Sequence, residues 1–192
     1  MSIAGRHGVT ADTPKNVLFG AGTYHKGMSF DTSSGTLTAG TIIGATNGGG
    51  SIEIKGEITS LEIDGAYVKF KGQEVMTGGT AKIEATFTEL TPDIAATAMI
   101  GKTTSGTNYK MVAPKDTIEE GDYVEGFGFV GYTADGSKKV IAILENALCT
   151  SGFKVESKNK GQGIVTLTME AYAESSGKLD TIPAKIFFVD EI

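Results

Sequence analysis

Thr80-Ala81-Lys82-Ile83-Glu84-Ala85-Thr86-Phe87-Thr88-Glu89 is the stretch that decides the fold. Its residues alternate strictly: Ala81, Ile83, Ala85 and Phe87 are apolar, while Thr80, Lys82, Glu84, Thr86 and Thr88 are polar. Side chains in a β-strand point to opposite faces with period two, so this segment reads as a strand with one buried and one solvated face. Working backwards, residues 51–58 repeat the pattern, with Ile52, Ile54 and Ile58 opposite Glu53, Lys55 and Glu57, and Leu61 and Ile63 continue it. Asp64-Gly65 then supplies a turn, since both residues tolerate positive φ. A further strand is expected after it, with Val68 and Phe70 inward and Tyr67, Lys69 and Lys71 outward, followed by a loop from Gly72 through Gly78-Gly79.

Working forwards, Thr91-Pro92-Asp93 has the marks of a helix start: a hydroxyl N-cap, a proline where no amide donor is needed, and an acid at the positive end of the helix dipole. The short apolar body from Ile94 to Ile100 is expected to close at Gly101 and to lie on a sheet, because so short a helix is unstable alone. Strands are expected over residues 108–112, 123–134, 138–148, 153–157, 164–173 and 184–189, with Asp135-Gly136 and Lys158-Asn159-Lys160-Gly161 as hairpin turns. Residues 1–50 are rich in glycine and threonine and read as an extended N-terminal arm with one or two short strands, the better at residues 16–24. The expected architecture is mainly β: an antiparallel β-sandwich or partial barrel at residues 51–192, one flanking α-helix, and the extended arm.

Composition narrows the function classes. The 27 glycines in 192 residues are about twice the usual share, yet they have no three-residue period and only 4 prolines accompany them, which excludes collagen. A hydrophobic fraction of 40 % supports a folded core rather than wholesale disorder. A net charge of -6 without a basic cluster argues against tight nucleic-acid binding. The opening residues lack the apolar segment of a secretion signal, and no apolar run approaches the ~20 residues of a membrane-spanning helix. Cys149, the only cysteine, cannot form an intramolecular disulfide and reads as packing.

Chemical motifs are sparse. Gly126-Phe127-Gly128-Phe129-Val130-Gly131 has the letters of a dinucleotide-binding loop, but a turn follows it rather than a helix whose N-terminus would receive a pyrophosphate. It reads as a twisted or bulged strand approached closely by another backbone. The two histidines, His7 and His25, both lie in the arm, and no nucleophile elbow is present. Zinc is unsupported without clustered His and Cys, and Glu119-Glu120-Gly121-Asp122 lacks the alternating oxygen ligands of a calcium loop. Neither catalysis nor a cofactor or metal is expected. Thr166, Thr168 and Glu170 oppose Val165, Leu167 and Met169, as Thr86 and Thr88 oppose Ala85 and Phe87. Such polar faces suit either the outside of a monomeric sandwich or the lining of a water-filled passage.

Gly44-Ala45-Thr46-Asn47-Gly48-Gly49-Gly50-Ser51, then Glu62-Ile63-Asp64-Gly65-Ala66, Val68, Lys71-Gly72, the alternating segment 80–89 and Thr91-Pro92 resemble, in order and spacing, the tail tube (major tail) proteins of long-tailed bacteriophages and prophages. Asn16-Val17-Leu18-Phe19-Gly20-Ala21-Gly22 also resembles their beginning, so the likeness spans roughly residues 16–101. The resemblance implies a non-catalytic virion protein, made in the host cytoplasm, that assembles into hexameric rings stacked into a tube for DNA passage. Its partners would be copies of itself and other tail proteins: terminator, baseplate or tip, and tape measure. By the same resemblance Lys82, Glu84, Thr86, Thr88, Thr166, Thr168 and Glu170 would face the lumen, with the charge of Lys82 and Lys69 left to be balanced. Gly72, Gln73, Glu74, Val75, Met76, Thr77, Gly78 and Gly79, with the arm, would make the subunit and ring contacts. The alternative is a monomeric β-sandwich binding module for a carbohydrate or cell-surface ligand, disfavoured by the absence of tryptophan.

Overall fold

A computed structural model describes residues 8–157 and 159–190; His7 and Lys158 lie outside the described residues. The strands in chain order are β1 (Leu18–Lys26), β2 (Ser29–Asp31), β3 (Thr36–Thr38), β4 (Thr41–Ile42), β5 (Thr46–Ser60) and β6 (Glu74–Phe87), followed by helix α1 (Pro92–Met99). Then come β7 (Gly101–Ser105), β8 (Lys110–Pro114), β9 (Val124–Thr133), β10 (Lys138–Cys149), β11 (Val155–Glu156), β12 (Ile164–Ala171) and β13 (Ala184–Asp190). Nine strands form one antiparallel sheet in the order β4-β1-β9-β10-β12-β6-β5, with β13 also paired to β10 and β11 to β12. β2–β3 and β7–β8 are separate hairpins.

The sheet folds over at β10, whose first part pairs with β13 and whose last residues pair with β12. Two layers thus face each other as a sandwich, without closing into a barrel. Between them Tyr24, Phe127, Phe129, Ala142 and Leu144 meet Ile83, Ala85, Phe87, Val165, Leu167 and Met169. The apolar set of the 80–89 stretch is buried as its alternation demands. Tyr24 sets its ring against Phe87 at 6.0 Å in an edge arrangement and against Phe129 at 5.3 Å, geometries that aromatic quadrupoles favour. Helix α1 adds Ile94 and Ala98 to this core, and the Thr91 hydroxyl accepts a hydrogen bond from the Ile94 amide at 3.2 Å. A smaller core lies on the opposite face of β9 and β10, where Met28, Val130, Ile141 and Ile143 are covered by Phe30 and Leu37 of the β2–β3 hairpin. Because β9 and β10 are covered on both faces over their middles, residues 126–131 and 140–144 carry only apolar side chains and glycine.

Several expectations need correction. Residues 67–71 form no strand: Tyr67 and Val68 are almost fully solvent-exposed, and Lys69 reaches Glu74 at 2.9 Å. Nor are residues 74–79 a loop, since β6 begins at Glu74 and pairs with β5 as far as Ser60. Gly78 and Gly79 are extended there, and a side chain on Gly79 would collide with Ile182, so they serve close packing rather than a turn. Within the glycine-rich segment the strand expected at residues 16–24 is present as β1, beside β9, whereas β5 begins at Thr46 and crosses position 50, with a register shift between Thr46 and Gly50. Helix α1 closes at Ile100, which takes the left-handed conformation expected of Gly101, while Gly101 opens the unforeseen β7.

Candidate functional site

Strands β12, β6 and β5 lie side by side at one end of the sheet. Their register places Thr166 opposite Thr86, Thr168 opposite Glu84, and Glu170 opposite Lys82. Ser51 and Glu53 of β5 stand opposite Glu84 and Lys82. Directly paired residues share a face, so these side chains form one continuous polar surface behind the main core. The Thr86 and Thr166 hydroxyls are 3.1 Å apart, and the Lys82 ammonium lies 3.3 Å from the Glu170 carboxylate. Glu170 is thus the acid that balances Lys82, whereas Lys69 belongs to the neighbouring loop. Glu53, Glu57, Glu84 and Glu170 against Lys55 and Lys82 leave the face acidic. Thr88 stands just past the end of β6, tied to the Ala45 carbonyl through its amide at 3.0 Å.

Beyond the core, β5 and β6 continue together as a two-stranded ribbon ending in the loop at residues 61–73. Ile58 and Met76, paired across the ribbon, are about two-thirds exposed at 65 % and 67 %. Leu61, Ile63, Tyr67, Val68 and Phe70 add further exposed apolar surface at its tip. The loop base is internally clamped: the buried Gln73 amide donates to the Leu61 carbonyl at 2.8 Å, and Ser60 donates to the Glu74 carboxylate at 2.8 Å. The Lys69 bond, with help from Ser60, holds the Glu74 carboxyl below its ordinary range. Of the residues expected to make subunit contacts, Val75, Met76 and Thr77 project from the ribbon, whereas Gln73 spends its side chain inside the loop. Ile58, Leu61, Ile63, Val68 and Phe70 have the sequence pattern of inward-facing residues; Ile58 pairs only within the ribbon and residues 61–70 form no strand, so no covering layer buries them. The outer edge of β5 pairs with no strand among the described residues.

The remaining motifs serve packing and local order. Gly126 to Gly131 lies within β9, and a side chain on Gly126, whose φ is +57°, would strike the Met28 carbonyl oxygen. Two acids of residues 119–122 are engaged internally: Asp122 accepts from the Glu119 amide at 2.8 Å and from Lys115 at 2.8 Å, and Glu119 accepts from Lys115 at 2.7 Å. Chiefly through Lys115, the Asp122 carboxyl is held below the usual range. Among the described residues no group of three His, Cys, Asp or Glu side chains is placed to hold a metal, and no helix is long and apolar enough to cross a membrane. Cys149 is buried in the main core. Compared with models of known protein families and with curated proteins, the sequence matches none.

Proposed function

We propose that this chain is a non-catalytic structural subunit that assembles with copies of itself into stacked hexameric rings, forming the tail tube of a long-tailed bacteriophage or prophage. The observation that carries the reading is the β12–β6–β5 end of the sheet. It combines a polar, acid-biased face, a 15-residue edge strand whose outer edge pairs with no strand among the described residues, and a projecting ribbon that leaves apolar side chains in water. A long open edge is an invitation to further strand pairing, and a monomer usually blunts it. A heterologous contact repeated about and along an axis closes rings and stacks them. In such a tube Lys82, Glu84, Thr86, Thr166, Thr168 and Glu170 would line the lumen, where carboxylates offer phosphates no cationic foothold and DNA slides through unbound. The ribbon would seat against a neighbouring subunit, and the tube ends would meet the other tail proteins named above.

Negative-stain microscopy and sedimentation velocity across a concentration series test this directly. Rings or tubes that grow with concentration are expected. A species that stays monomeric throughout overturns the proposal and turns attention to the binding-module alternative, which a thermal-shift screen against glycans would then address.

A further inference from the structure

The β2–β3 hairpin is a small cover over the outer core, and His25 lies beneath its return strand. Residues 28–39 leave and rejoin the sheet through Gly27 and Gly40, whose φ values of +74° and +64° are open to glycine and strained for other residues. The Gly27 and Met28 amides are tied to β9 by bonds to the Glu125 and Gly126 carbonyls, each at 2.9 Å, and beyond that tie side chains hold the hairpin: Phe30 stacks on Phe187 at 4.2 Å, and Met28 and Leu37 pack on Val130, Ile141 and Ile143. Beside this contact is a cavity of about 510 Å³ lined by Thr23, His25, Phe30, Leu37, Ala39 and Lys139, among others. His25 is 7 % exposed; its Nε2 is 2.8 Å from the Thr23 hydroxyl, and its Nδ1 is buried without a hydrogen-bond partner.

We infer that the hairpin at residues 28–39 is an acid-released flap, with Gly27 and Gly40 as its hinges and the neutral His25 imidazole as its latch. A buried ring with one nitrogen lacking a hydrogen-bond partner favours the uncharged form, since burying a charge is costly, even with the Ala39 carbonyl pulling the other way. Opening the flap hydrates both nitrogens, so a proton favours the open form. The ionisable surroundings reinforce this. On the cavity side β10 presents Lys139, which also sits 5.6 Å from the Tyr132 ring centre of β9. The strand β4 paired to His25 brings no ionisable group. The hairpin brings Asp31, already bonded to Ser33 and Ser34. Glu125 and Glu145, the latter paired with Lys185 of β13, line a separate recess beyond Met28 and Phe30. Among the described residues no carboxylate lines the His25 cavity to receive the imidazolium.

Burial pushes the His25 ring below its ordinary value, outweighing the opposing pull of the Ala39 carbonyl. The sign follows: the closed flap is fully favoured above the free-histidine value near 6.5 and loses ground as pH falls below it toward the depressed closed-state value. Each unit of depression corresponds to about a tenfold rise in the opening equilibrium.

Hydrogen–deuterium exchange of the full chain, corrected for intrinsic rates, tests the flap at pH 7.5 and 5.5. Protection in residues 28–39 should fall several-fold at pH 5.5 while β6 and β12 keep theirs, and His25→Gln should abolish the difference. Unchanged protection, a pH response retained in His25→Gln, or uniform loss across the sheet would overturn the inference. An NMR titration of the ring in a His7→Ala background removes any dependence on how well His25→Gln folds. A midpoint below 6.5 supports the latch, and one at or above it sinks the idea.

Discussion

Phe87 and Thr88 are neighbours with opposite fates. Phe87 is fully buried against Tyr24, whereas Thr88 lies at the rim of the sheet. Phe87→Ala should therefore cost about 3–5 kcal/mol, and Thr88→Ala about 1 kcal/mol or less; urea unfolding midpoints of the two variants check both values. A second residue pair separates backbone conformation from close approach. Gly126 and Gly136 both have positive φ, but only Gly126 faces another backbone within reach of a side chain. Gly136→Ala should cost about 1–2 kcal/mol from conformation alone, and Gly126→Ala clearly more, as read from their melting temperatures. The first contrast was legible in the sequence, because strict alternation states which residues a strand will bury. Val68 and Phe70 alternate just as well and are exposed, because alternation says which face would be covered and not whether a covering layer exists.

At the scale of elements, local chemistry located the helix. Thr91, Pro92 and Asp93 start α1 as their side chains dictate, and Asp93 additionally pairs with Lys26 of β1. Thr91→Ala removes one of the hydrogen bonds to the first-turn amides and should lower stability by about 1 kcal/mol, measurable as a shifted denaturation midpoint with an unchanged slope. The far end of the helix was less legible: a glycine was available at 101, yet Ile100 takes the left-handed position so that Gly101 can pair with Pro114 in β7–β8. Tertiary pairing overrode the local preference. The same competition hid the ribbon. Gly72, Gly78 and Gly79 carry a loop signature, but cross-strand partners in β5 hold the last two extended, and only Gly72 keeps a turn conformation, at φ +97°.

At the scale of the whole molecule, strand content, antiparallel order and the polar face of β6 and β12 could be read from the sequence, since each rests on local periodicity. Which strands become neighbours could not. β1 pairs with β9 and β6 with β12 across long stretches of chain, and nothing in a local pattern encodes such a meeting. The assembly reading makes its own prediction at this scale. Ile58→Ser combined with Met76→Ser alters only exposed ribbon side chains, so the monomer should melt within a few degrees of the parent while ring or tube formation drops at least tenfold by sedimentation; equal assembly of both proteins would remove the ribbon from the interface. The pairing of β1 with β9 carries a further consequence, one of timing. At about 5–20 residues per second, the roughly hundred residues between His25 and its partner Gly128 need on the order of 5–20 seconds to leave the ribosome. During that interval the nascent β1 has no strand beside it on its β9 side, and Tyr24, buried in the finished fold, waits uncovered.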